Sequence, residues 1–147
     1  MTTIQTVLFS GKTHTTPRGH DRVDINLSIP GSAGSEINFS DVQLHPTAEQ
    51  LFAGAWSACY TGALGLVAKA KKVALPPDLS VDIQVDLGSA GKAYFLQARI
   101  DVGMPGVALE VAEAIAREAH DVCPYSKAVH GNIDVVTNVV VTDALAA

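Results

Sequence analysis

LFAGAWSACYTGALGLVA, Leu51 to Ala68, is a run of eighteen residues without a charge, and the fold turns on how it is read. Its length sits at the lower limit for a bilayer span, yet a helix that is apolar on every side is equally at home in the centre of a globular protein. The surroundings favour burial. Pro46, Thr47 and the acid Glu49 form a helix start, and Pro76 with Pro77 forms a stop. A central core helix is therefore predicted from about Pro46 to Lys72, with no membrane span.

Working outward, Ile4 to Ser10 and Arg22 to Ile29 read as strands, and the GKTHTTPRGHD between them has turn chemistry, which predicts a hairpin with a large loop. Pro30 to His45, rich in Gly, Ser and Asn, reads as a connection. Beyond the central helix, Leu79 to Leu87 and Ala93 to Val102 alternate with period two and are joined by GSAGK, a second hairpin. Val107 to Val122 places Leu109, Ala112, Ile115, Ala116 and Ala119 at helical spacing. CPYSKAV after it looks like a turn into a further short helical segment, and NIDVVTNVVV ends the chain as a strand. The order ββ-α-ββ-α-β is that of an α+β protein, read as a single domain over residues 1–147.

Composition narrows the function classes. Of the 147 residues 48% are hydrophobic and 17% charged, which is globular rather than disordered. The formal net charge is −5, and the ten Lys and Arg are scattered rather than gathered into a stripe, so nucleic acid is not an expected partner. The N-terminus lacks a basic region followed by a long apolar one, and the expected compartment is the cytoplasm. No HExxH, CxxC or regular His spacing occurs, and no metal site is expected.

Two cysteines remain, Cys59 and Cys123. Cys59, inside the apolar helix, has an inert core reading, since free Cys is among the most buried residue types. Cys123 stands before Pro124 at the start of a helical turn, where the local dipole favours a thiolate. If the two long helices pack together, the two thiols can meet, provided their Cα atoms come within about 7 Å. Gly54, Ala58 and Gly62 at four-residue spacing suit close approach of another backbone. His120 and His130 flank Cys123, and isolated histidines of this kind are more often structural than catalytic.

Two segments, EQLFAGAWSACY (Glu49 to Tyr60) and VCPYSKAVHGNIDV (Val122 to Val135), resemble the two signatures of the Ohr/OsmC proteins, and are more similar to the organic hydroperoxide resistance branch. The resemblance spans essentially the entire chain. It implies an intertwined homodimer with a long central helix packed against antiparallel sheet, Cys-based sites at the interface, and no cofactor. It places Cys59 as peroxidatic thiol and Cys123 as resolving thiol, with Arg18 (Arg22 as the substitute) and Glu49 assisting. A guanidinium beside sulfur favours the thiolate. Organic hydroperoxides are then the substrates, and a dithiol such as dihydrolipoamide, carried on a lipoylated protein, the reductant. TTPRGHD and HPTAEQ depart from the usual family pattern around the arginine and the helix start.

Glu49 and Cys59 are ten residues apart, about 15 Å along a continuous helix. Either Arg18 spans the gap, the helix breaks near Gly54, or Glu49 serves the other subunit. Phe52, Trp56 and Tyr125 are candidates for an apolar substrate pocket, with plain core packing the equal alternative for the first two. Rival functions are a redox-inert carrier of an apolar ligand and a disulfide-based redox sensor.

Overall fold

A computed structural model describes residues 3–19, 22–28, 37–38 and 46–142. The elements are β1 (Thr6–Gly19), β2 (Arg22–Ser28), β3 (Ile37–Asn38), α1 (Ala48–Ala70), β4 (Ser80–Ala90), β5 (Ala93–Gly103), α2 (Leu109–Val122), α3 (Pro124–Val129) and β6 (Asp134–Val140). The expected α+β class holds, and the structure adds to the expected order the short strand β3 inside the predicted connection. Apart from Ile37 and Asn38, the predicted connection from Pro30 to His45 lies outside the described residues, as does Ile29.

Helix α1 starts where the sequence signals it. The Thr47 hydroxyl accepts the Gln50 N–H at 3.1 Å, and the Gln50 side-chain carbonyl accepts the Thr47 N–H at 3.0 Å. This reciprocal capping box satisfies two amide groups that a helix N-terminus otherwise leaves open. The helix runs unbroken past Gly54, which removes the kinked-helix route between Glu49 and Cys59. By length and composition it could cross a membrane, but 56% of its most apolar 18-residue window is buried within this fold. Trp56, Tyr60 and Leu64 are fully enclosed against Val81, Ile83 and Val85 of β4 and Ile115 and Ala119 of α2. Gly54 is buried, whereas a side chain added at Gly62 would meet open space. The row of spaced small residues thus passes from buried at Gly54 to exposed at Gly62.

The six strands lie in the order β3-β2-β1-β4-β5-β6. All neighbours are antiparallel except β5 and β6, which pair in parallel. Parallel strands need a long crossover, and α2 with α3 supplies it. Val81, Ile83 and Val85 face Val102, Ile100 and Ala98 in register and form the apolar face of the sheet under α1. The hairpin between β4 and β5 closes at Gly91, whose φ of 62° suits glycine, so β4 continues through the Gly88-Ser89-Ala90 that the sequence suggested was loop.

The main correction concerns β1. The GKTHTTPRGHD segment is strand as far as Gly19, pairing with β4 over Thr6–Thr15 and with β2 from Lys12 onward. Gly11, Thr13 and Thr15 point inward and are buried. A Cβ at Gly11 would lie 2.5 Å from the Gln50 amide nitrogen, so β1 crosses the start of α1 at backbone contact distance. Thr13 bonds Ser57 of the helix at 2.8 Å.

On the opposite face, Ser10, Gln84 and Gln97 all donate to Asp86, at 2.5, 3.0 and 2.7 Å, joining three strands. Burial alone would push this carboxyl up, but the three donors outweigh it and hold it below the usual carboxylate range.

Gly11→Ala is expected to destabilise the fold by about 1–3 kcal/mol, because backbone rather than a flexible side chain must give way. Denaturant unfolding checks it. Asp86→Asn is expected to cost about 1–3 kcal/mol at neutral pH. A folded pKa below the unfolded one contributes stability above the unfolded value that is lost as pH falls through the folded one. The gap between wild type and variant should therefore close under acid, as thermal melts across pH can show.

Candidate active site

Cys59 projects from the middle of α1, and Cys123 lies at the corner where α2 ends and α3 begins. Cys123 is the C-cap of α2 and the N-cap of α3, in extended backbone geometry, with Pro124 at the first helical position. A proline there forfeits an amide that would have had no partner. The corner folds back onto α1 and brings the two Sγ atoms to 3.3 Å, both as free thiols. Cys59 is partly exposed and Cys123 fully buried. A small oxidant arriving from solvent thus meets Cys59 first, with a second thiol directly behind it.

Burial pushes the Cys59 thiol up from its ordinary value. The adjoining Cys123 sulfur adds to this through its hydrogen bond and charge, and the Tyr125 backbone N–H pulls the other way. Cys123 Sγ accepts the Ser126 N–H at 3.5 Å. Among the described residues no cationic side chain hydrogen-bonds either sulfur.

Arg18 and Glu49 sit apart from this pair. Arg18 falls at an irregularity in the β1–β2 register between Pro17 and Gly19, on strand rather than loop, and pairs with Asp24 at 2.7 Å with its side chain 70% exposed. Arg22 is exposed at the start of β2. Glu49 is 9% exposed at the first turn of α1, and among the described residues its carboxylate has no ion pair. Within one chain, then, the structure unites the two sulfurs and leaves Arg18 and Glu49 outside their contact.

Phe52 packs edge-on against Trp56, ring centroids 5.6 Å apart. Tyr125 is exposed beside the corner. A concavity of about 1010 Å³ opens between α2, α3 and β6, lined by Trp56, Arg117, His120, Lys127, Val135 and Thr137 among others. Neither cysteine lines it, and of the three aromatics only Trp56 does. No group of three His, Cys, Asp or Glu that could hold a metal occurs among the described residues.

Sequence reasoning passed over three residues that build the corner. Tyr60, fully buried, donates its hydroxyl to the Ala116 carbonyl at 2.6 Å; burial, then the nearby Cys123, raise its pKa well beyond the ordinary phenol. Ser126 accepts the Trp56 indole N–H at 2.9 Å. Thr137 reaches His120 from β6. Tyr60 and Ser126 lay within the EQLFAGAWSACY and CPYSKAV segments, with no signal for their roles.

Fold and site together define an α+β protein in which a central helix presents one thiol to another at a helix corner. The chain belongs to the OsmC-like family, whose model matches residues 40–138. It is 34% identical to the organic hydroperoxide resistance protein OhrA of Bacillus subtilis over 120 residues, 81% of this chain and 82% of that one. It is also 34% identical to the organic hydroperoxide resistance protein of Xanthomonas axonopodis pv. citri over 117 residues, 77% and 76% of the two chains. The crystal structure of OhrB of Bacillus subtilis superposes with a TM-score of 0.62 at 28% identity, covering 87% of this chain and 97% of that one.

Treating the reduced protein with a mild thiol oxidant should yield an intrachain Cys59–Cys123 disulfide without unfolding, because the sulfurs need to close by only roughly 1 Å. Intact mass and peptide mapping check this; disulfides joining two chains as the main product would contradict it.

Proposed function

We propose that this protein is a thiol peroxidase that reduces organic hydroperoxides to alcohols. The carrying observation is the 3.3 Å contact between a partly exposed thiol and a buried one; the relatives named for organic hydroperoxide resistance support the substrate class. The Cys59 thiolate attacks the terminal peroxide oxygen, the O–O bond breaks, and the departing alkoxide takes up a proton to become the alcohol. Cys59 is left as a sulfenic acid. The Cys123 thiol attacks that sulfur, forming the disulfide and releasing water. A dithiol then exchanges with the disulfide and restores both thiols; dihydrolipoamide, free or on a lipoylated protein, is the reductant we assign from the family resemblance.

Arg18 is the group we assign to favouring the thiolate, and its exposed pairing with Asp24 is a weak hold. The acting unit in this reading is the whole chain as one domain, as a cytoplasmic homodimer. Leu51, Ala55, Gly62 and Leu66 leave an exposed small and apolar stripe along α1 beside Cys59, and a second copy would cover it. Glu49 then serves its own or the partner subunit's site. The concavity away from the sulfurs favours one rival, a carrier of an apolar ligand, which would keep its binding without Cys59.

Purified protein is expected to consume cumene hydroperoxide with dihydrolipoamide and to prefer it over hydrogen peroxide. Cys59→Ser should lower turnover on the order of a thousandfold or more, and no dithiol-dependent turnover by the wild type would sink the reading in favour of the carrier. Cys123→Ser should complete one stoichiometric oxidation and then over-oxidise. Removing a cation raises a neighbouring thiol's pKa, so Arg18→Ala should slow the reaction at neutral pH and approach wild type as the pH rises, measured as a pH–rate profile.

A further inference from the structure

Apart from the sulfurs, a connected polar construction in the interior is centred on Ser126. Its hydroxyl accepts the Trp56 indole N–H at 2.9 Å and lies 2.9 Å from Nδ1 of His120. Nε2 of His120 lies 2.9 Å from the Thr137 hydroxyl on β6. The backbone N–H of the same Ser126 points at Cys123 Sγ. Ser126 and Trp56 are buried, and the His120 ring packs against that of Tyr60 with centroids 4.7 Å apart. Ser126 and Trp56 are therefore held to their partners by burial, while His120 and Thr137 are half-buried at the wall of the concavity.

Burial lowers the pKa of His120, with Asp121 opposing. A neutral imidazole has one donor and one acceptor nitrogen, which matches two hydroxyl partners, each able to play either part.

We propose that His120 is a positioning residue for disulfide formation: bonded to Ser126 on one side and Thr137 on the other, it ties the corner that carries Cys123 to β6 and keeps the Cys123 sulfur aligned on Cys59. The proposal rests on the peroxidase reading above. In the step concerned, the Cys123 thiol attacks the sulfur of the Cys59 sulfenic acid, the S–S bond forms, the S–O bond breaks, and the hydroxyl leaves with the thiol proton as water. Cys59 is held in the middle of a 23-residue helix, so the closing movement falls on the corner. The earlier attack on hydroperoxide takes place at Cys59 and does not involve this anchor. A loosened corner would leave the sulfenic acid open to further hydroperoxide and to irreversible oxidation.

Trp56 is the sole tryptophan of the sequence and is bonded to the same Ser126, so its emission reports on the corner. The experiment is a single-turnover reaction of the full chain with stoichiometric cumene hydroperoxide, comparing wild type, His120→Ala, His120→Asn and Thr137→Val. Sulfenic acid is followed by dimedone trapping, the disulfide by intact mass, and the corner by Trp56 fluorescence. Sulfenic acid formation is expected to be unchanged. Disulfide closure should slow roughly tenfold in His120→Ala, the scale of losing two part-buried hydrogen bonds, and less in the other two. The fluorescence change that accompanies closure should be delayed with it, and over-oxidised Cys59 should accumulate. Should His120→Ala not fold, His120→Asn and Thr137→Val decide the matter. Closure at the wild-type rate in the folded variants, after normal sulfenic acid formation, overturns the positioning role alone. A wild type that forms no sulfenic acid overturns the peroxidase reading and the His120 proposal with it.

Discussion

The sulfur pair depends on two hydrogen bonds that run from the central helix, one to the middle of α2 and one to α3 just past the corner. Tyr60 donates to the Ala116 carbonyl and Trp56 to the Ser126 hydroxyl, and these two residues, four apart on α1, flank Cys59 along the helix. Both rings are fully buried, so an unmade bond at either would leave a desolvated polar group at a cost of about 1–3 kcal/mol. Ala112, Ala116 and Ala119 form the buried side of α2 and let it approach closely enough for the bonds to form. The Lys71–Glu118 ion pair also links α1 to α2. It is partly exposed, and such pairs contribute about 0–1 kcal/mol; the buried hydrogen bonds are the stronger constraint.

What the sequence made legible follows from which physical signal each element used. The central helix, the β4–β5 hairpin and α2 are written in hydropathy, and their types and approximate limits could be read directly. The second half of β1 is written in size. Its inward positions, Gly11, Thr13 and Thr15, alternate correctly, but the strand crosses the start of α1 here, and at Gly11 even a Cβ would not fit. Small polar residues in alternation look like turn chemistry to any reading based on hydrophobic period. The parallel pairing of β5 with β6 was hidden for another reason, since it depends on the path of the crossover rather than on either strand.

The candidate site divides along the same line. Cys59 and Cys123 are 64 positions apart, and no local pattern says they meet; resemblance supplied the pairing, and the geometry brings the sulfurs together. The roles of Ser126 and Thr137 could not be read from sequence because a hydroxyl acts through its partners, and those partners come from α1 and α2. Arg18 and Glu49 were placed by resemblance too, and neither touches the sulfurs within one chain.

That separation bears on the electrostatics of the proposed reaction. Burial and the neighbouring sulfur favour the neutral thiol of Cys59, and the Tyr125 N–H does not offset them, whereas peroxide chemistry needs the thiolate. In the proposed reaction, Arg18 is the cation assigned to offset this. Arg18 is held by Asp24 in an exposed pair, where high dielectric makes the attraction small. The same guanidinium beside a half-buried thiolate would act through a lower effective dielectric, where its attraction is several-fold larger. A guanidinium reaching that sulfur in the proposed reaction would exchange a screened pair for a stronger attraction, against the cost of its own desolvation.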